Sequence, residues 1–400
     1  MQRKKDYASA FETIKLDTVK TFYIDPAVQD TSWRDRSTSL AQVNFTHRSF
    51  SGAIDWSGQY RLSTEATALK EKVYVDVGEG RGNLRFDPFL NEYVPDPLGN
   101  YILYILPSGK FEPVTNVQMS TRLVLDPYKY TRRKRSAKKR WFSKLSSESY
   151  LRIEEESRDP DKVNVFLMNP AHLQSQFTVR GLISFLQDIY IFRHNRRLSF
   201  RLRYNFSQNY NNQFLDANEN DLRKSQEFGL RVNWRPSVRL RSLTESRVRS
   251  YFRRSSANPF RNRDISGYYL VQNISYRPRS RWEIGLGNES GLETNRNPNY
   301  PLDLWYTTLR PRLNYELPVR GRATVEYQLQ NVTVTRNPQN LVVPFEMAQG
   351  KKKGLSHTWQ LRLEYTLSKN VLFTLQYSGR KDAGFKRTIH TGQAQLRAYL

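Results

Sequence analysis

From residue 196 to its last residue the chain alternates, and the alternation limits the folds open to it. In Leu198, Phe200, Leu202, Tyr204 and Phe206 every second residue is apolar, with Ser199, Arg201, Arg203 and Asn205 between them. A period of two puts these sets on opposite faces of a strand. The pattern returns in Phe228-Leu230-Val232-Trp234, Trp282-Ile284-Leu286 and Leu309-Pro311-Leu313-Tyr315-Leu317. It continues in Ala323-Val325-Tyr327-Leu329, Trp359-Leu361-Leu363-Tyr365-Leu367 and Val371-Phe373-Leu375-Tyr377, with noisier versions at 238–251 and 266–277. Counting the C-terminal run, the sequence predicts an all-β, antiparallel sheet of at least ten strands.

The connections narrow this further. Short links join Trp234 to Val238, Tyr276 to Trp282, Leu317 to Ala323 and Leu367 to Val371. Between them fall long polar loops at 208–226, 253–265, 292–303, 335–354 and 381–387. Strict short–long alternation is expected of a transmembrane β-barrel with tight periplasmic turns and long outer loops. A soluble sandwich has no reason to sort its loops by parity. Aromatics also gather at strand ends (Trp234, Tyr276, Trp282, Tyr315, Trp359, Tyr365, Tyr377), where interface girdles would lie. The last strand places Ala394, Leu396, Ala398 and Leu400 on one face, with Gln393, Gln395, Arg397 and Tyr399 on the other. Here the sequence resembles the C-terminal strand signal of bacterial outer-membrane proteins, carried by Leu396, Ala398, Tyr399 and Leu400, although Leu400 replaces the commoner terminal Phe.

Composition removes other classes. The chain has 400 residues, a formal charge of +26 and 38% hydrophobic residues, and its mean hydropathy is −0.73. Its longest apolar stretch, Gly181 to Phe192, is broken by Gln187 and Asp188 and is too short for a membrane-spanning helix. Disorder is disfavoured by 13% aromatics. The absence of cysteine excludes disulfides and thiolate chemistry. Met1 to Lys5 is basic, but no apolar core follows as a signal peptide requires. An outer-membrane protein must be exported, so the chain reads as a segment of a longer protein or a reading frame without its beginning.

The expected organisation is an N-terminal extension or fragment start over 1–40, then strands within 41–126 with a Gly/Pro/Asp-rich excursion at 76–115. A basic and acidic insert follows at 127–175, and core barrel strands at 176–400. Within the insert, Arg132, Arg133, Lys134, Arg135, Lys138, Lys139 and Arg140 form a basic run, a candidate contact for lipid, lipopolysaccharide phosphates or another polyanion and equally a solvated loop. On the polar faces of the strands, Arg201, Arg203, Arg231, Arg239, Arg241, Arg310, Arg312 and Arg362 would face the lumen, partly balanced by Glu245, Glu283, Glu326 and Glu364. Such a lumen favours anions, or is filled by Arg–Glu pairs.

Motifs for catalysis are weak. Gly78-x-Gly80-x-Gly82 lacks the following helix that a dinucleotide loop needs. Asp87, Glu92, Asp96 and Asn100 fit turn chemistry better than a calcium loop. His47, His172, His194, His357 and His390 are scattered, with His357 and His390 near outer loops. No catalytic residue, metal or cofactor is assigned.

Val77-Gly78-Glu79-Gly80-Arg81-Gly82-Asn83, the run Glu92-Tyr93-Val94-Pro95-Asp96-Pro97, Gly99-Asn100-Tyr101 and the C-terminal Leu396-Arg397-Ala398-Tyr399-Leu400 together resemble the C-terminal part of large uncharacterised outer-membrane proteins of Bacteroidetes- and Chlorobi-related bacteria. The resemblance covers most of the chain and implies location and architecture without a known activity. The sequence therefore predicts an outer-membrane barrel with a structural or pore-like transport role. Its expected partners are outer-membrane lipid and lipopolysaccharide, the barrel-assembly machinery and the missing N-terminal part. One alternative is a soluble, basic, nucleic-acid-binding β protein, disfavoured because its charges should gather in one patch; a barrel enzyme with a rim active site is another. The barrel reading fails if the apolar faces pack against a second sheet or a helical layer.

Overall fold

The computed structural model describes residues 40–398 apart from 79–81, 83, 89–91, 97–98, 134–140, 171, 214–219, 257–260, 319, 339–340 and 369. The 1–40 extension, all but its last residue, lies outside the described residues, as do Lys134, Arg135, Lys138, Lys139, Arg140, Tyr399 and Leu400.

Among the described residues seventeen strands follow one another: β1 (Leu40–Ser49), β2 (Ile54–Asp76), β3 (Leu84–Asp87), β4 (Glu92–Pro95), β5 (Tyr101–Leu125), β6 (Leu145–Ser157), β7 (Thr178–Ile191) and β8 (Leu198–Asn211) open the series. Then come β9 (Asp221–Trp234), β10 (Leu240–Ser255), β11 (Arg263–Arg279), β12 (Trp282–Asn295), β13 (Leu302–Leu317), β14 (Gly321–Arg336), β15 (Gly354–Ser368), β16 (Val371–Lys381) and β17 (Ile389–Ala398). Helices α1 (Pro127–Arg133) and α2 (Lys162–Phe166) are short. All ladders are antiparallel, and 15 strands form one meander in chain order, the small β3–β4 hairpin excepted. Because the meander count is odd, β1 and β17 run in the same direction. Among the described residues no ladder joins them; β17 is exposed throughout and β1 in all but its last residue.

Loop parity holds. One rim carries the links 50–53, 192–197, 235–239, 280–281, 318–320 and 369–370; the other carries 77–100, 158–177, 212–220, 256–262, 296–301, 337–353 and 382–388. The single long link on the short-turn rim is 126–144, which carries α1. Ser51, in the left-handed region at φ 61°, and Gly52 at φ 82° make the tight turn expected between β1 and β2.

Two boundaries need correction. The excursion expected at 76–115 is confined to 77–100, because β2 and β5 are 23 and 25 residues long and pair up to Asp76–Tyr101. The insert expected at 127–175 contains β6, so Glu154, Glu155 and Glu156 are strand residues. Their alternation is obscured because Ser147, Ser149 and Glu155 share a face with Leu151 and Ile153. Partners on β7 meet part of this polarity: Ser149 Oγ donates to Gln187 Oε1 at 2.5 Å, and Glu155 Oε1 accepts from the Thr178 hydroxyl, while Glu155 Oε2 is buried without a hydrogen-bond donor among the described residues.

The register sorts the side chains into two faces. Tyr268, Leu270, Leu292 and Trp305 stand on one, 64%, 47%, 60% and 38% exposed. The other carries the charged and amide side chains, and there burial is deep: Glu293 is 4% exposed and Gln330 1%. This sheet hides its polar face and shows its apolar one. Residues 158–177 cover the apolar face locally, where Tyr60 Oη donates to the Phe166 carbonyl at 2.8 Å and Val117 and Val179 are fully buried.

Candidate functional site on the polar face

Alternation brings arginines and carboxylates of neighbouring strands into register, and many of them pair. Arg203 is forked onto Asp188, Nε and Nη2 donating at 2.8 and 2.7 Å. Arg231 Nε donates to Glu245 at 2.6 Å, and Arg253 is forked onto Asp221 at 3.2 and 2.9 Å. Glu289 receives Arg247 and Arg310, each at 3.5 Å. Arg362 reaches Glu364 on its own strand at 2.5 Å. Fork-shaped guanidinium–carboxylate contacts of this kind are directional as well as charged.

Towards the long-loop rim the face is filled. The 337–353 connection turns back over β11 to β14, and Met347 and Ala348 are fully buried with Ile265, Tyr269, Leu302, Leu304, Tyr306 and Val332. Glu293 anchors the loop, accepting from the Ala348 backbone N–H at 2.7 Å and from Tyr269 Oη at 2.8 Å. Gln330 Nε2 donates to the Ala348 carbonyl at 3.1 Å. Glu346 faces Arg253 and Arg263 at 3.8 Å. Ala348 and Gln349 hold left-handed backbone at φ 49° and 58°, costing about 1 kcal/mol each; the Glu293 and Gln330 bonds offset that cost. The seat is cut to shape by Gly291, where an added Cβ would lie 2.5 Å from the Tyr306 ring. The expected outer loop at 335–354 thus exists, but packs onto the sheet.

Towards the short-turn rim the face is open. A cavity of about 370 Å³ lies there, lined by Arg241, Asn273, Ser275, Gly285, Arg312 and Glu326 among others. A second, of about 220 Å³, adjoins it, with Tyr190, Arg193, Arg201, Arg231 and Asn233 in its walls. Arg241 and Leu243 line both.

Of the arginines singled out in the sequence, Arg203, Arg231, Arg310 and Arg362 are committed to carboxylates. Arg201, Arg241 and Arg312 make no ion pair among the described residues, and Arg201 Nε is buried without a hydrogen-bond acceptor. Arg239 departs from expectation: it sits in the 235–239 link, outside β10, where its carbonyl accepts from the Arg277 backbone N–H at 2.8 Å. Arg132 and Arg133 end α1. Leu396 and Ala398 lie on the apolar face of β17, with Arg397 opposite. Basic groups are therefore dispersed along the polar face and interleaved with carboxylates.

The histidines are placed separately. His357 Nδ1 and Tyr327 Oη are 2.5 Å apart, and His390 Nδ1 and Tyr377 Oη 2.8 Å, both pairs on the apolar face. His172 meets Asp159 at 3.0 Å and His194 meets Asp126 at 3.1 Å. Among the described residues no group of three His, Cys, Asp or Glu could hold a metal ion. Sequence reasoning missed the loop seat; its signals were Ile265, Leu302, Leu304 and Tyr306 on polar-face positions, and Gly291 within a strand.

No family model matches the chain, and no curated protein matches it. Among solved structures it is similar to CdiB from Acinetobacter baumannii, at 9% identity and a TM-score of 0.40, covering 83% of this chain and 60% of that one. It is also similar to a Pseudomonas aeruginosa FadL homologue, at 9% identity and a TM-score of 0.34, covering 84% of this chain and 87% of that one. The chain thus spans 60% of the length of CdiB.

Proposed function

We propose that the chain forms a β-barrel in the bacterial outer membrane and passes small solutes along its polar interior. The observation that carries this reading is the inverted burial of the sheet. Along the meander Trp, Tyr, Phe and Leu point outward with no second sheet or helical layer over most of them among the described residues, while Glu, Gln and Asn are sheltered on the other face. Exposed to water, an apolar surface of this extent would cost about 25 cal/mol for each Å²; facing hydrocarbon, it is at home. An antiparallel sheet satisfies its interior backbone groups within itself, as a lipid environment demands. Loop parity and the aromatic strand ends agree with this orientation, the short-turn rim being periplasmic. The solute path is supported by the open, arginine-rich cavities on that rim's side of the polar face. The basic run that Arg132 and Arg133 open at the end of α1 would contact anionic groups, and the C-terminal strand would be read by the assembly machinery.

The test is to refold the chain in detergent micelles and compare gel mobility with and without boiling, then to measure conductance in planar bilayers. A compact, boiling-sensitive band with a salt-dependent current is expected. A monodisperse soluble monomer in plain buffer, with no such band in detergent, would sink the membrane reading and favour the soluble nucleic-acid binder.

A further inference from the structure

We propose that the adjoining cavities on the polar face form one binding trough for a small phosphate ester, with Arg241 and Arg312 clasping the phosphate. This inference rests on the barrel reading and names the solute class for it.

The register supplies the geometry. Arg241, Ser275, Gly285 and Arg312 occupy one row across β10, β11, β12 and β13. Three inter-strand steps separate the two arginine Cα atoms, about 14 Å. Two extended arginine side chains span that distance with room for one tetrahedral anion between them. The floor beneath is low, because Ser275 is small and Gly285 has no side chain. A Cβ at Gly285 would lie 3.7 Å from Arg312 Cβ and 3.9 Å from its Nε, so the Arg312 stem leans across this floor.

Charge commitment selects these two groups. Arg310 and Arg231, in the same walls, are held by Glu289 and Glu245, and Glu283 by Arg277 at 2.6 Å. Among the described residues Arg241 and Arg312 have no such carboxylate. Glu326 stands beside Arg312 in the ladder but makes no ion pair with it among the described residues. One carboxylate against two uncommitted guanidinium groups leaves the trough cationic. Guanidinium forks match phosphate oxygens in pairs, which favours a dianionic phosphate over a single-charged halide.

The second cavity argues for an ester over free phosphate. It is reached past Arg241, and its walls hold a buried donor and a buried acceptor without a hydrogen-bond partner among the described residues, Arg201 Nε and Asn233 Oδ1. Both atoms are sealed from solvent, so a small rotation of either side chain towards the cavity is what would let a hydroxylated body attached to the phosphate supply an acceptor to one and a donor to the other. Its size is bounded by the cavity of about 220 Å³, room for a single sugar or a shorter polyol. The trough faces the sheltered side of the sheet, which removes a bilayer headgroup as the source of the phosphate.

The experiment uses the full chain folded in detergent, with the boiling-sensitive band confirming its fold, and titrates it calorimetrically with glucose 6-phosphate, inorganic phosphate and glucose. Glucose 6-phosphate is expected to bind at least tenfold more tightly than glucose, and more tightly than inorganic phosphate. Arg241→Gln and Arg312→Gln should each weaken it about tenfold, whereas Arg152→Gln on β6 should not. In bilayers, glucose 6-phosphate should block the chloride current of the parent protein and not that of the double variant. Equal binding of glucose and its phosphate, or unchanged binding by the two arginine variants in a correctly folded barrel, overturns the trough and leaves the barrel reading intact. Tighter binding of inorganic phosphate than of the ester overturns the role of the second cavity. Absence of the compact band overturns the barrel reading itself.

Discussion

The two halves of the polar face are built from the same strands in the same register, yet one is a packed interior and the other an open basin. Near the long-loop rim, Tyr269, Tyr306, Glu289 and Glu293 close around Met347 and Ala348 from a loop more than fifty residues downstream of Glu293. Near the short-turn rim, Ser275, Gly285 and Gly287 leave space between Arg241, Arg310 and Arg312. The difference arises from loop length. Links such as 280–281 and 318–320 are too short to fold back over the strands they join, whereas 337–353 can. A period-two pattern decides which face is polar; the connections decide whether that face is filled.

Matched substitutions in the two halves should separate them. Gly291→Leu should be the most damaging, since its side chain must displace the Tyr306 ring. Overpacking of this kind costs about 1–3 kcal/mol. Gly285→Leu meets only ordinary contacts and should change stability by less than about 0.5 kcal/mol. Temperature-dependent loss of the compact gel band measures both, and equal sensitivity would erase the distinction.

Glu293→Gln should cost about 1–2 kcal/mol, because an amide cannot accept from both the Ala348 N–H and the Tyr269 hydroxyl as a carboxylate does. Release of the loop should also speed tryptic cleavage after Lys351, Lys352 and Lys353, of which the last two are already exposed, while Glu326→Gln in the open half should leave the cleavage rate unchanged. Tyr306→Phe removes only the 3.2 Å bond to Glu289 and should cost about 1 kcal/mol in the same thermal assay. Smallest in stability is Arg241→Ala, expected within about 0.5 kcal/mol of the parent since it breaks no ion pair. Its effect should appear in the reversal potential under a salt gradient, displaced towards cation preference. A large loss of stability there would mean that Arg241 is structural.

Much of this was legible in the residues. Strands β8 to β17 announce themselves through runs such as Trp359-Leu361-Leu363-Tyr365, and loop parity follows from the spacing between such runs. β6 was hidden because Ser147, Ser149 and Glu155 occupy apolar-face positions, made tolerable by partners on β7 and by the 158–177 cover, neither visible locally. The same limit applied to the polar face. Which arginines pair depends on cross-strand register, so Arg231 and Arg241 read alike in sequence although one is bound to Glu245 and the other is uncommitted. The Glu293–Ala348 anchor joins residues far apart in the chain. Only the apolar intruders on the polar parity, Leu302 and Leu304 above all, hinted at it.

The parallel sense of β1 and β17 sets a rule for the seam between them. In a ring whose neighbours all run in opposite directions the number of staves is even, so the 15-strand meander closes on itself only through one parallel β1–β17 contact, and a strand seated between these two edges satisfies both in antiparallel sense only by running from the short-turn rim to the long-loop rim. A second copy of the sheet, set with its rims in the same sense, offers edges of the wrong direction and leaves the seam mismatched. The exposed backbone of β1 and β17 is therefore a lock with a directional key: one strand, or an odd set of them, entered from the short-turn rim.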